Sequence, residues 1–425
     1  MSYVTAAGRR RRGAVVVHIV LCMTALFGIM AVALDGGMML TERRHAQATA
    51  DAAALAGAAE LFKNALTTGA GTGTATTSAT TTAAANGYTN DGTTSTVTVN
   101  IPPKSGTFKD QTGYVEVIVT YNQARFFSSM WGSSAIPISA RAVARGLWQP
   151  TSPAILTLDP TDNGTLLTTG NGSINVTGGG DVVVDSSSSS GIQLNGKGTA
   201  VNDPGGILVA GPSPGYGGGG TISPLPSANQ PTMPDPLRFL PEPSVPAAAA
   251  APTTDPSTGV ITYYPGYYAT DPKFGNNNYI LQPGLYYMGG GFSISGNASS
   301  SVSSVPGSGV MIFIGPSGSL NVSGQGSVTL SPLPPGSGIY AGLTFFQSRS
   351  DSTMVQITGN GMFNITGTIY APDATVSATG NGDALGSQII AYQVQNKGAG
   401  GGSGAINVSF NSGTVAKTRT LSLVE

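Results

Sequence analysis

Histidine and cysteine are almost missing from this chain of 425 residues. The only histidines are His18 and His45, and the only cysteine is Cys22. One cysteine cannot form an intramolecular disulfide or a cysteine-ligated zinc site. From residue 46 onward nothing can supply the imidazole of a Ser-His-Asp triad or a histidine metal ligand. Charge is scarce too, at 9% of residues with a formal net charge of −1. Residues 1–150 hold 12 Lys+Arg against 7 Asp+Glu, whereas 151–425 hold 7 against 13. The larger part is mildly acidic and has no basic stripe for a phosphate backbone, which argues against nucleic acid as a partner. After residue 150 the only glutamates are Glu242 and Glu425. The aspartates there are scattered singly, so the clustered carboxylates of glycan lyases and hydrolases are not evident. Asp351 with Arg349, and Asp373, are the least poor candidates. The chain reads as a non-enzyme without a cofactor.

What is abundant is glycine, 61 residues, with 28 prolines and 40% hydrophobic residues. Few charges, many small polar residues and ordinary apolar content point to an extracytoplasmic, β-rich protein rather than a disordered one.

Arg9, Arg10, Arg11 and Arg12 precede an uncharged run over residues 13–34 that includes Val15, Val16, Val17, Ile19, Val20, Leu21, Leu26, Phe27, Ile29, Val32 and Leu34. About twenty such residues match the hydrocarbon thickness of a bilayer. The basic cluster keeps residues 1–12 in the cytoplasm and exports the chain beyond residue 36, so 13–36 reads as a single transmembrane helix in contact with the lipid bilayer. A cleaved signal peptide competes, because Ala31-Val32-Ala33 fits a small-x-small cleavage site, but the apolar core is long for a signal. His18 reads as a neutral residue within the helix. Residues 38–66 continue as helix, with Ala46, Ala50, Ala53 and Gly57 at helical spacing, a smooth stripe suited to packing on the protein's own sheet or on a neighbouring subunit. Residues 67–82 read as a loop or weak helix. Period-two alternation at 96–101, 114–119 and 136–143 gives three strands, so 37–150 forms a small α+β domain.

The runs Arg12-Gly13-Ala14-Val15-Val16-Val17, Ala33-Leu34-Asp35-Gly36-Gly37 and Gln47-Ala48-Thr49-Ala50-Asp51-Ala52-Ala53-Ala54-Leu55-Ala56-Gly57-Ala58 resemble the start of TadG-like pilus-assembly proteins of the bacterial Flp, or tight-adherence, system. The resemblance is close over about the first sixty residues and looser to residue 146, through Ala85-Asn86-Gly87-Tyr88 and Tyr114-Val115-Glu116-Val117. It implies a bacterial inner-membrane protein, cytoplasmic at its N-terminus and otherwise periplasmic or extracellular, with pilus-assembly machinery or envelope proteins as partners. Related pilin-like proteins trimmed by a prepilin peptidase carry Glu five residues after the cleavage-site Gly. Counted from Gly13 that place is His18, so the resemblance is to the non-processed, tethered branch.

Beyond residue 153 short strands alternate with glycine. An apolar-Asn-apolar motif recurs as Ile174-Asn175-Val176, Leu320-Asn321-Val322, Phe363-Asn364-Ile365 and Ile406-Asn407-Val408, the last three 43 residues apart. Repeats of this kind point to a right-handed β-helix-like solenoid over 151–425 with about two coils per 43 residues, a β-sandwich being the alternative. The motifs are expected to stack at one angular position, apolar side chains inward and Asn321, Asn364 and Asn407 outward. Residues 203–257 contain 13 of the prolines, with glycine at 217–220 and alanine at 247–251. They read as an irregular Pro-rich insertion whose loss should leave the rest folded.

Val182-Val183-Val184-Asp185-Ser186-Ser187-Ser188-Ser189 places Asp185, Ser187 and Ser189 as a strand-Asp-x-Ser-x-Ser motif, the first loop of a Mg²⁺-dependent adhesion site found in von Willebrand A domains that several TadG-like proteins carry. That domain needs helices between strands, and glycine and proline follow here instead, so a solvated turn is the preferred reading. Asp159-Pro160-Thr161-Asp162-Asn163 reads as another turn. Gly170-Asn171-Gly172 and Gly380-Asn381-Gly382 lack the helix that a phosphate loop requires. Tyr263, Tyr264, Tyr267 and Tyr268 could stack on a surface glycan or cap the end of a solenoid, and the cap is preferred. The reading is thus a tethered structural or interaction protein of pilus assembly or adhesion. The rival is a tethered β-helical carbohydrate-active enzyme or lectin.

Overall fold

In the computed structural model, residues 12–64, 72–150, 153–297, 299–305, 308–359, 362–379, 385–398 and 404–425 are described. They fall into two units, 1–148 with 419–425, and 149–418. The basic tail before Arg12 and Gly380-Asn381-Gly382 lie outside the described residues.

In the first unit no proline interrupts the chain from Arg12 to Asn64, and it forms one helix, α1. The second helix, α2 (Thr72–Ala85), runs where the threonine-rich sequence suggested a loop or weak helix. Its Thr76, Thr77, Thr80 and Thr82 hydroxyls donate to carbonyls one turn back, which satisfies them without leaving the helix. Strands β1 (Ser95–Asn100), β2 (Tyr114–Gln123) and β3 (Ile136–Pro150) pair antiparallel in sequence order. A fourth strand, Lys417–Leu423, comes from the far end of the chain and pairs with β3. The assignment of everything after 150 to the second domain is corrected there.

The core is mostly alanine. Ala46, Ala50, Ala53, Ala54 and Ala58 of α1 and Ala75, Ala79 and Ala83 of α2 are fully buried with Val115, Val117 and Val119 of β2. Small side chains let backbones approach closely, and at Gly146 the carbonyl of Ala58 occupies the space a Cβ would need. The alanine stripe therefore packs within the molecule. Buried Glu116 fixes the C-terminal strand: Arg141 Nε lies 2.6 Å from Glu116 Oε1, and its guanidinium also pairs with Glu425. Burial opposes ionisation of Glu116, yet hydrogen bonds from Ser105, the Lys104 N–H, Arg141 and Asn100 hold its pKa at about 2.

The second unit is a mainly-β body of large parallel ladders. Residues 181–223 make strands Asp181–Val184, Ile192–Asn195 and Ala200–Asn202, then Ile207–Val209, Tyr216–Gly218 and Thr221–Ser223. Each of the last three pairs parallel with its counterpart in the first three. Earlier residues, Pro153–Thr157, Leu166–Thr169 and Ser173–Thr177, pair with the same three on the other side. The longest ladder runs Ile207–Val209, Asp181–Val184, Pro153–Thr157, Gln388–Lys397, Thr368–Thr379, Leu343–Gln347, Val310–Ile314, Gly284–Met288, Gly266–Tyr268. The chain thus enters the ladder part-way along it, works outward to Ser223, and crosses to the far edge. From there it returns until Gln388–Lys397 docks beside Pro153–Thr157 and Ala405–Ser409 beside Ser173–Thr177.

This order corrects the reading of 203–257 as an irregular insertion, because 203–223 contributes three ladder strands. The segment after Ser223 covers both edges of the long ladder. Ser227 pairs with Leu208 at one end, and Ala248 with Tyr267 at the other. Between them Leu237 and Leu240 are buried with Leu156, Met311, Phe313, Phe346, Tyr370 and Ile390, on the face of the ladder away from the main core. Burial on both faces is why Val310–Ile314 reads as a continuous apolar run rather than an alternating one, and why every residue of Leu343–Gln347 is buried.

Of the four apolar-Asn-apolar motifs, Ile174-Asn175-Val176 and Ile406-Asn407-Val408 are direct neighbours. Asn175 bridges Asn202 and Asn407 through side-chain hydrogen bonds of 2.9 Å each. Phe363-Asn364-Ile365 lies two steps further on, reached through the Ile365–Leu385 bridge and the hydrogen bond from the Leu385 N–H to the Asn407 carbonyl. Leu320-Asn321-Val322 belongs to a different ladder, between Phe292–Gly296 and Val355–Thr358, so its stacking with the others is corrected. Equal sequence spacing there did not mean equal position, because the turns between strands vary in length.

Candidate functional site

The surface that departs most from an ordinary soluble protein is the first half of α1. Val15, Val16, Val17, Ile19, Val20, Leu21, Leu26, Phe27, Ile29 and Val32 are all more than half exposed, Ile29 by 67%. Leaving a large apolar side chain in water forgoes roughly 1.5–3 kcal/mol each, so ten along one helix favour apolar surroundings over water. The run from Val15 to Leu34 spans about 30 Å at 1.5 Å per residue, the thickness of a bilayer core. By length and composition this helix can cross a membrane. Its one internal hydroxyl, Thr24, donates to the carbonyls of Val20 and Leu21 at 3.1 and 2.9 Å, as a lipid-embedded helix requires.

Asp35 marks the end of that run and is only 8% exposed. Its carboxylate accepts the backbone N–H groups of Phe127 at 3.1 Å and Ser128 at 2.8 Å, the first turn of the short 3-10 helix Phe127–Trp131. Immediately after the apolar run the helix is therefore tied to the loop between β2 and β3. Further along, Gln47 Nε2 donates to Asp51 and to the Arg141 carbonyl of β3 at 2.9 Å. The Asp-Gly end of the apolar run was visible in the sequence. The role of Asp35 as a clasp was not, because its partners lie more than ninety residues away.

The metal candidates do not form a ligand set. Asp185 is buried and accepts the Met233 N–H at 2.8 Å, while the Ser187 hydroxyl donates to the Pro160 carbonyl and both Ser187 and Ser189 face solvent. Among the described residues no three His, Cys, Asp or Glu side chains are grouped to hold a metal ion. Burial pushes the Asp185 carboxyl up to about 6, against the one hydrogen bond from Met233. A folded-state pKa above the unfolded value means a contribution that is full below about pH 4 and lost as pH rises through about 6. Asp185→Asn keeps an acceptor for Met233 and removes the charge. It is expected to stabilise the protein by about 1–3 kcal/mol at pH 8 and to be near neutral at pH 4, read by thermal melts. A Mg²⁺-dependent rise in the wild-type melt that the variant lacks would instead restore the metal reading.

The remaining candidates are structural in geometry. Asp159 accepts the N–H groups of Thr161 and Asp162, an Asx turn as the sequence suggested. Arg349 does not pair with Asp351. Its guanidinium lies over Phe346 and Tyr370, 5.2 and 5.3 Å from the ring centres, and donates to the Leu237 carbonyl. Tyr370 donates to Asp235 at 2.6 Å, and the Arg349 N–H to Glu242 at 2.7 Å. These groups, which the sequence did not single out together, clasp the Pro-rich segment. Asp351 accepts the Thr353 N–H within its own turn, and Asp373 is exposed. Tyr263 and Tyr268 pack at the end of the ladder against Phe274, Tyr279 and Tyr286, in keeping with the cap.

Compared with known proteins, residues 13–60 match the family model described as putative Flp pilus-assembly TadE/G-like. The match covers the exposed run, Asp35 and the alanine stripe, so the resemblance read from those residues holds for the N-terminal helix. No curated protein matches the chain. Among solved structures, the competence-associated pilin ComZ from Thermus thermophilus is similar at 11% identity and a TM-score of 0.25, over 78% of this chain and 83% of that one. A likeness at that TM-score carries no argument.

Proposed function

We propose that this protein is a non-catalytic, single-pass envelope component of tight-adherence pilus assembly or surface adhesion, its N-terminus cytoplasmic and its β body exported. The observation that carries this reading is a coincidence of position: the TadE/G-like match, residues 13–60, falls on the exposed apolar run and the helix that tethers it to the first unit. The orientation rests on the Arg9 to Arg12 cluster. For the second unit we propose a right-handed β-helix-like winding. Its support is the parallel register between successive triplets of strands and the strong preference of parallel crossovers for the right hand. Inward apolar and outward polar side chains, as in Ile174 and Val176 against Asn175, agree with it. A scaffold of this kind offers long polar faces to a protein partner, while the tyrosine cluster that could have held a glycan is engaged in packing.

The test has two arms. A reporter active only outside the cytoplasm, fused after Leu66, is expected to be active, and activity of a cytoplasm-only reporter at the same place would reverse the topology. In the second arm the full chain is purified from detergent-solubilised envelope. Co-purification of pilus-machine components supports the functional assignment, and their absence under conditions that retain other envelope complexes removes it.

A further inference from the structure

The loop that Asp35 holds carries two aromatic side chains in solvent. Phe126 is 65% and Phe127 40% exposed, and their rings meet edge to face with centres 4.8 Å apart. Exposed phenylalanines are costly unless something apolar receives them. Their height along α1 is fixed by the hydrogen bonds from the Phe127 and Ser128 N–H groups to Asp35, one residue after the apolar run ends at Leu34. Leu34 just before that level, and Met38 and Leu40 beyond it, are also exposed. Several polar groups of the loop are paired internally. Ser129 Oγ donates to the Phe126 carbonyl at 2.7 Å, the Gly132 N–H donates to the Ser129 carbonyl, and Arg125 Nε donates to the Ser134 carbonyl at 2.8 Å. Such pairing lowers the cost of bringing the loop into a poorly hydrated layer, and aromatic residues favour the membrane–water interface.

We propose that Phe126 and Phe127 form a second membrane contact, inserting into the interfacial layer of the bilayer on the exported side. Asp35 couples this wedge to the transmembrane helix and so fixes how the first unit stands on the membrane. The proposal rests on the reading of residues 13–36 as a membrane span. Two contacts, a helix and a wedge, restrain tilt where a single helix would swivel.

The test uses the full chain with Cys22→Ser, reconstituted into vesicles of phosphatidylethanolamine and phosphatidylglycerol. A polarity-sensitive fluorophore is attached at one of three single cysteines, Phe126→Cys, Leu26→Cys or Lys109→Cys. Spin labels on the lipids, placed near the headgroup or deep in the acyl chains, report depth. The expected result is a blue-shifted probe at 126 quenched most by the shallow label, a probe at 26 quenched most by the deep label, and an unquenched probe at 109. Quenching at 26 but not at 126 would overturn the wedge and leave the anchor intact. Absence of quenching at 26 would overturn the anchor and the wedge with it. In a separate arm, Phe126→Ser/Phe127→Ser with the probe at Ser129→Cys should lose the shallow quenching seen without those substitutions, while the melt of the first unit stays unchanged. Equal quenching with and without the phenylalanines would also overturn the proposal.

Discussion

Deleting residues 204–256 is expected to abolish the cooperative melt of the second unit. Judged as a loop, the segment should be dispensable, because closing a shorter loop costs little. The strand order says otherwise. In the ladder that carries the asparagine motifs, Ala200–Asn202 lies near one end and Ile261–Tyr263 near the other, with Ser173–Thr177, Ala405–Ser409, Leu385, Phe363–Ile365, Ser327–Leu330, Ser301–Ser304 and Asn278–Leu281 between them. At about 4.8 Å per strand this is a span of roughly 38 Å. After the deletion only five residues would join Asn202 to Ile261, and they reach about 20 Å when fully extended. The ladder must then break, and its outer strands lose their partners. Replacing 242–249 with an equal length of Gly and Ser keeps the reach and removes the Glu242 contact to Ser348 and Arg349. That variant should still melt cooperatively, at a temperature lower by several degrees. A deletion protein that melts like the wild type would refute the strand order itself.

The same segment shows where the sequence was legible and where it was not. Local signals were reliable. The apolar run of α1, the alternation of β1 to β3, and the inward and outward alternation of Phe363-Asn364-Ile365 all depend on neighbours a few residues away. Composition misled at 203–223, because Tyr216–Gly218 and Thr221–Ser223 hold their place by main-chain pairing while the glycines at 217–220 and the short polar flanks leave little apolar pattern to read. Pairing across the chain left no trace at all. Nothing in Lys417–Leu423 announces that it will leave the second unit and join β3, and nothing in Gln388–Lys397 names Pro153–Thr157 as its neighbour. In the candidate site, the exposed helix was readable from hydropathy, whereas Asp35 and the Arg349–Tyr370–Asp235 clasp became recognisable only through contacts over long sequence separations.

Covering the edges has a physical consequence of its own. A long parallel ladder ends in unpaired N–H and C=O groups that invite further strands. Here the Ser227 N–H bonds to the Ile207 carbonyl and the Val209 N–H to the Ser227 carbonyl, while at the other end Ala247 and Ala249 exchange hydrogen bonds with Tyr267. One proline-rich segment therefore spans the ladder and closes both of its ends. Proline suits that place, because a residue without an N–H cannot extend the pairing outward.

Ile365→Asp and Asn364→Asp are expected to differ by several kcal/mol although the positions are adjacent. Val328, Thr329 and Leu330 pair with Phe363, Asn364 and Ile365, so alternate side chains of the two strands point the same way. Phe363 and Ile365 are buried among Val328, Leu330 and Leu385, and Asn364 is exposed. Truncating a buried Ile costs about 2–5 kcal/mol through lost contacts and the cavity left behind. Placing a carboxylate there adds the cost of desolvating a charge with no partner, which the group lowers by holding its proton. Its folded pKa must then lie above the unfolded value near 4, so the penalty grows as pH rises from there. Thermal melts should show Ile365→Asp less harmful at pH 4 than at pH 8, and severely destabilised at the higher pH. Asn364→Asp keeps its size and faces water, so it should cost less than about 1 kcal/mol at either pH. Equal losses from the two substitutions would place both side chains in one environment, which period-two geometry in this register forbids.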